Sequence, residues 1–263
     1  MKNIKFIVIL AFAVTIGCGE AKVVELGSLQ QRGGVYVVPE TQKPYSGKFV
    51  ESRGNVVIRA GSFKNGKLHG EITIYNKDGS IIGMVNYKDG IVQRGSFTDS
   101  RDGKKYATVK IGQTWMAENL NYDAEGSKCC ENNPANCQTY GRLYDWNTAL
   151  KACPSGWHLP NGDEWQKLVD IVGGDKTAGA ILKAASGWNK NGNGTDEFGF
   201  SALPGGGGYS DGGFFDVDLG YWWSASEDNS GSAYRRRMFY YSDDADWSIS
   251  LKSRLLSVRC VQD

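Results

Sequence analysis

Two histidines, His69 and His158, are all the imidazole in this chain of 263 residues, so a His-based metal centre or acid–base pair has little to draw on. Six cysteines form the other reactive set: Cys18, Cys129, Cys130, Cys137, Cys153 and Cys260. Cys129 and Cys130 are adjacent and have no Cys-x-x-Cys companion, a spacing that argues against zinc. Ser224 and Ser226 lack a base, because His158 sits in a block that reads as packing. Carboxylates gather at Glu227-Asp228 and at Asp243, Asp244 and Asp246. A glycosidase needs two of them across a cleft at roughly 5–9 Å, and acids clustered in turns are ordinarily just solvated. Asp243, Asp244 and Asp246 are hard oxygen ligands at close spacing. They leave calcium as the one cofactor open to the chain, though without the EF-hand spacing; no other cofactor is expected.

Composition frames these groups. Hydrophobic residues at 40% and charged residues at 22% are globular values. Gly at 35, aromatics at 12% and Pro at only 6 indicate turn-rich, β-rich material. Lys+Arg 30 against Asp+Glu 29 gives a net charge of +1, so no global field draws the chain to nucleic acid, and the triplet Arg235-Arg236-Arg237 is too short to change that.

Residues 1–18 read MKNIKFIVILAFAVTIGC, with Lys2 and Lys5 ahead of an uncharged, mostly apolar run of 12 from Phe6 to Gly17. A bilayer span needs about 20 such residues, so this is a signal peptide rather than a permanent helix. Val14-Thr15-Ile16-Gly17-Cys18 resembles a bacterial lipobox. That resemblance implies cleavage before Cys18, a diacylglyceryl group on its thiol and an acylated amino group. Several acyl chains, at roughly 0.8 kcal/mol per buried methylene, anchor a protein durably. The expected partner is therefore a membrane, and the expected location the cell envelope, outer membrane or cell surface.

From about Pro44 to Phe97 one theme recurs, an aromatic residue before a polar turn ending in Gly: Phe63-Lys64-Asn65-Gly66, Tyr75 to Gly79, and Tyr87-Lys88-Asp89-Gly90. With Gly54 the glycines step by 12, 13 and 11 residues. Asn-Gly and Asp-Gly supply the positive φ of hairpin turns, and the intervening runs alternate in polarity. Gly61 to Gly70 resembles a MORN-type repeat, which implies an interaction surface or spacer.

All eight tryptophans lie beyond residue 99, a composition shift that marks a domain boundary. The expected organisation is 1–17 signal peptide, 18–43 anchor and linker, 44–98 hairpin repeats and 99–263 C-terminal domain. In the last segment Lys105 to Gly112 alternates like a strand, and Tyr144 to Ala152 is a short helix candidate ended by Cys153-Pro154. Asn161 or Asp163 caps a helix carrying Trp165, Leu168, Val169 and Val172, which Gly173-Gly174 ends. Thr177 to Ala185 is a third helix candidate, and from Phe200 onward Gly and aromatics alternate with turns.

Six blocks in this order resemble the Fibrobacter succinogenes major paralogous domain: Val109 to Leu120, Tyr140 to Trp146, Cys153 to Pro160 with Glu164-Trp165, Phe198 to Gly206, Tyr221 to Ser226, and Ser257 to Cys260. That family is similar in turn to C-type-lectin-like folds and to the formylglycine-generating domain. The fold class expected is α+β: antiparallel β-hairpin repeats, then a lectin-like domain with two or three short helices and a loop-rich antiparallel sheet. The lectin-like resemblance implies a Cys153–Cys260 disulfide. Cys137 then pairs with Cys129 or Cys130, and the resemblance favours Cys129.

An oxidase of the formylglycine-generating type needs reactive cysteines ahead of the final strand to bind copper, and none lies between Trp165 and Arg259. The chain is therefore expected not to be an enzyme. Lectin-like folds present ligands on long loops before the last strands, here about residues 205–245. The calcium-lectin signatures Glu-Pro-Asn and Trp-Asn-Asp are absent. Aromatic faces stack on sugar rings and arginines donate to hydroxyls or carboxylates, which makes Tyr234, Arg236, Tyr240, Tyr241 and Trp247 the candidate ligand residues. Trp222 and Trp223 read as core. The function expected is non-catalytic recognition at the cell envelope, with polysaccharide as ligand and an envelope protein or a purely structural role as alternatives.

Overall fold

The computed structural model describes residues 22–263. The signal segment 1–17 and the lipidation site Cys18 lie outside the described residues. Among the described residues no helix is long and apolar enough to cross a membrane.

Four strands, β1 (Gly47–Arg53), β2 (Val56–Lys64), β3 (Gly70–Tyr75) and β4 (Ile81–Lys88), pair antiparallel in chain order. The period-2 pattern decides which side faces inward. Ile72 and Ile74 of β3 are buried while Glu71 is exposed, and in β4 Val85 and Tyr87 are buried between exposed Asn86 and Lys88. Two-residue turns close the tightest hairpins. Asn65 and Gly66 have φ of 51° and 75°, Asp89 and Gly90 of 53° and 84°. Both central residues are left-handed, as a type I′ turn requires, and Asn-Gly and Asp-Gly tolerate that conformation best.

A second sheet, in the order β5 (Arg94–Thr98), β6 (Lys105–Ile111), β7 (Gln113–Met116), β14 (Val261–Gln262) and β9 (Trp157–His158), joins the start and end of the C-terminal segment. Trp115 faces Val261 across β7 and β14. A third sheet runs β8 (Leu143–Tyr144), β13 (Leu256–Ser257), β10 (Gly220–Asn229), β11 (Ser232–Met238) and β12 (Ala245–Leu251).

Four helices lie between: α1 (Pro134–Tyr140), α2 (Trp146–Ala152), α3 (Gly162–Ile171) and α4 (Asp175–Leu182). Asp145 caps α2 by accepting from the Thr148 amide. Asn161 and Glu164 form a reciprocal capping box at α3, whose Trp165, Leu168 and Val169 are buried. Sequence reasoning expected two or three helices and did not find α1. That helix buries only Cys137, so it carries no apolar stripe; its signal is local, the Asn133 cap and Pro134 in the first turn. Among the described residues the architecture is mostly β with four helices and several antiparallel sheets, compatible with an α+β class.

Phe49, Ile72 and Val85 of the first sheet share one apolar cluster with Val109, Trp115, Trp165 and Leu168. The contact is close at Gly83, where a Cβ would lie 2.8 Å from Ile171 Cδ1. Polar ties add to it: Arg59 Nη1 reaches Glu197 Oε1 at 2.7 Å, and the Tyr87 hydroxyl donates to the Glu197 carbonyl at 3.1 Å. Strand β5 precedes residue 99 in the chain yet pairs with β6, Phe97 opposite Tyr106.

Disulfides join Cys129 to Cys137 and Cys153 to Cys260. The second ties the end of α2 to the residue before β14. Cys130 is a buried free thiol, and burial pushes it up to about 11.

Candidate functional site

Strand β11 carries the arginine triplet, and strand geometry sends consecutive side chains to opposite faces. Tyr234, Arg236 and Met238 share one face; Ala233, Arg235 and Arg237 share the other. Across the ladder Arg236 opposes Trp222 of β10 and Trp247 of β12, while Arg237 opposes Tyr221 and Asp246.

The Arg236 face lies under α3 and α4. Arg236 is fully buried. Its Nη1 donates to Asp175 Oδ1 and to the Ala245 carbonyl, each at 2.8 Å, and its Nη2 donates to Gln166 Oε1 at 3.1 Å. Burial pushes its pKa down to about 10, offset in part by Asp175, so it stays charged at neutral pH. Sequence reasoning offered Arg236 as a ligand donor. The structure corrects this, because its terminal nitrogens are already bonded to the chain and no face of it meets solvent. Trp247 lies against the same guanidinium and donates from Nε1 to Gln166 Oε1 at 3.0 Å. Tyr234 packs edge-on against Trp247 at 6.1 Å. Trp222 and Trp223 are wholly buried.

On the opposite face a run of aromatic rings leaves the core for the surface. Tyr221 is buried, Phe215 and Phe239 flank it at 5.9 and 6.2 Å, Tyr209 meets Phe215 at 5.0 Å, and Tyr241 stacks on Phe239 at 5.2 Å. Tyr241 is 64% exposed. Three arginines ride on this ladder. Arg235 Cζ lies 4.3 Å from the Tyr221 ring centre, Arg237 5.1 Å from Phe239, and Arg254 3.8 Å from Tyr209. Such stacking desolvates the faces of a guanidinium while leaving its edge free to donate. Of the five candidate ligand residues, only Tyr241 belongs to this ladder. Tyr240 turns from it, edge-on to Tyr241 at 5.0 Å, with its hydroxyl accepting from Lys190 Nζ at 3.2 Å.

Most of the remaining reactive groups are held by the chain itself. Ser224 Oγ accepts the Ser226 amide at 3.1 Å, and Ser226 Oγ accepts the Gly162 amide at 2.9 Å. His158 has Nδ1 2.6 Å from Asp263 Oδ1 and Nε2 2.9 Å from Glu164 Oε1, so both ring nitrogens are taken. Glu227 pairs with Lys252, and Asp228 accepts from Ser232 Oγ. Asp244 holds Lys176 at 2.8 Å and Asp246 faces Arg237 at 3.7 Å. Among the described residues no group of three or more His, Cys, Asp or Glu is arranged to hold a metal ion.

Sequence reasoning placed the ligand loops at about residues 205–245 but singled out neither Phe239 nor Arg254. Strand parity was the available signal for the triplet, since it sets Arg235 and Arg237 apart from Arg236 wherever β11 is extended. Nothing local marks Arg254, which reaches the ladder from the turn before β13.

Residues 109–262 match the family model of the Fibrobacter succinogenes major domain. No curated protein and no solved structure matches the chain.

Proposed function

Because the chain belongs to the Fibrobacter succinogenes major domain family, we propose that it is a cell-envelope lipoprotein whose C-terminal domain recognises polysaccharide without catalysing a reaction. In this reading Cys18 carries the acyl anchor at the outer membrane or cell surface. The strands before residue 99 are MORN-type hairpins that serve as platform, and the domain after it is organised like a C-type lectin. The lectin-like organisation is supported by the Cys153–Cys260 link between a helix end and the last strand.

One observation carries the functional reading: the ladder Tyr209, Phe215, Tyr221, Phe239 and Tyr241. Its inner rings are fixed in the core, so its exposed end loses little conformational entropy on binding, and a rigid aromatic face suits the apolar face of a sugar ring. A non-catalytic role is supported by the serines, His158 and the carboxylates Glu227, Asp228 and Asp244 all being engaged within the chain. The oxidase alternative lacks a thiolate, since Cys130 is buried and the other four described cysteines are bonded.

Retention of the full chain on insoluble glucans and on a glycan array tests the proposal. Tyr241→Ala should reduce retention several-fold, and a chain that no glycan retains would end the reading. Anchoring is tested separately, since Cys18→Ala should release the protein from membranes.

A second reading, binding of an envelope protein, is favoured by the free edge of β12. There Ile249 and Leu251 are 49% and 56% exposed, with Tyr234 of the neighbouring β11 opposite Ile249, and an apolar sheet edge is a template for an added strand. Glycan binding that survives Ile249→Asp while capture of a protein partner does not would assign that edge to the second role.

A further inference from the structure

We infer that the polysaccharide recognised by the ladder is anionic, a chain whose sugars carry carboxylates, with Arg235, Arg237 and Arg254 as the groups that read them. The inference rests on the reading of the ladder as a polysaccharide site and adds the substrate class.

Five of the eleven arginines are neutralised by a close carboxylate, while Arg259 is held by Asn119 and backbone carbonyls instead. Arg59, Arg94, Arg101, Arg142 and Arg236 each hold one at 2.7–3.0 Å. Arg235 and Arg254 form no side-chain hydrogen bond or ion pair among the described residues, and Arg237 has only Asp246, at 3.7 Å. The Nε atoms of Arg235 and Arg237 are buried and unpartnered, as are those of Arg142 and Arg236, so the donors open to a ligand at this face are the terminal nitrogens. Asp216, the other acid at this face, is occupied by the Tyr221 hydroxyl at 2.7 Å.

The three guanidiniums also lie near enough to repel. Burial first, and then Arg237 and Arg254, press the Arg235 pKa downward against the pull of Tyr221 and Asp216. A cluster of like charge with its donors free is complementary to an anion. The planar fork fits a carboxylate through two parallel hydrogen bonds. A uronate sugar offers both halves of the match in one residue: a ring face for Tyr241 and a carboxylate for the neighbouring arginine.

Binding of the full chain to polygalacturonate and alginate, to fully methyl-esterified polygalacturonate, to a neutral glucan and to polyglutamate tests the inference. Uronate chains should bind at least tenfold more tightly than the methyl ester, with affinity falling as salt rises. Arg235→Gln and Arg254→Gln should each weaken uronate binding about tenfold, and Arg254→Lys, which keeps the charge but loses the fork, should weaken it less. Equal affinity for the methyl ester, or binding to the neutral glucan alone, overturns the inference and leaves the polysaccharide reading intact. Polyglutamate binding as tightly as the uronates also overturns it, because charge alone would then be read. A chain that binds none of these sugars overturns both.

Discussion

Trp247 carries the Arg236 guanidinium over its ring, with Cζ 3.9 Å from the ring centre, and both side chains donate to one acceptor, Oε1 of Gln166. A single glutamine of α3 thereby fixes the inner strand β11 and the edge strand β12 to the helix above them. The three consecutive arginines of β11 consequently divide into one structural cation and two surface cations.

That division predicts opposite phenotypes from neighbouring substitutions. Arg236→Ala leaves the Ala245 carbonyl without its guanidinium donor and opens a cavity beside Trp247, so it should cost about 2–4 kcal/mol. Arg235→Gln, on the other face and free of ion pairs, should change stability by no more than about 0.5 kcal/mol. Urea unfolding of the two variants reads the difference, and equal midpoints would contradict it.

The same strand shows where sequence reasoning succeeds and where it stops. Alternation in β3 and β4 and the Asn65-Gly66 and Asp89-Gly90 turns are local signals, because hairpin register is set by neighbours in the chain. The α3 start was legible for a similar reason, its cap and first apolar turn lying within a few residues. The burial of Arg236 was not, since an arginine's charge argues for solvent unless the partners Asp175 and Gln166 are known, and both come from distant helices. The ladder was only half legible. Its rings come from the loop at Tyr209–Phe215, from β10 and from the end of β11, and Arg254 joins from a later turn, so only tertiary folding brings them together.

The two disulfides should differ in how much they stabilise. Cys153 and Cys260 are 107 residues apart, Cys129 and Cys137 only 8. On the chain-entropy account these loops correspond to about 4.7 and about 2.5 kcal/mol. Cys153→Ala with Cys260→Ala should therefore lower the denaturant midpoint more than Cys129→Ala with Cys137→Ala. The reverse order would mean that native-state interactions outweigh loop closure.

Gly179 sits inside α4, where alanine would normally add about 1 kcal/mol of helix stability. Here the helix rests on the 243–244 turn, with the Ala180 amide donating to the Asp243 carbonyl at 3.1 Å. A Cβ on Gly179 would lie 2.7 Å from the Asp243 carbonyl oxygen and closer still to that of Asp244. Both are backbone atoms that cannot swing away. Steric repulsion should win, so Gly179→Ala should destabilise by about 1–3 kcal/mol. A rise in melting temperature would show that the turn yields freely.

His158 gives the fold a pH dependence whose sign follows from its partners. Burial disfavours its positive charge, but hydrogen bonds and attraction from Asp263 and Glu164 outweigh it and raise the pKa above the ordinary 6.5. A raised pKa in the folded state means that the stabilisation is complete below about 6.5 and is lost as pH rises through the folded value. Glu164 acts in the other direction. Burial opposes its charge, yet hydrogen bonds from Gln113, the Asn161 amide and His158 hold its pKa below the ordinary 4.5. Its contribution is complete above about 4.5 and is lost as pH falls through the folded value. The two groups together favour a mildly acidic window. Part of the fall in melting temperature between pH 6 and pH 8 should disappear in His158→Gln, which cannot gain the charge. An unchanged profile in that variant would assign the dependence to other groups.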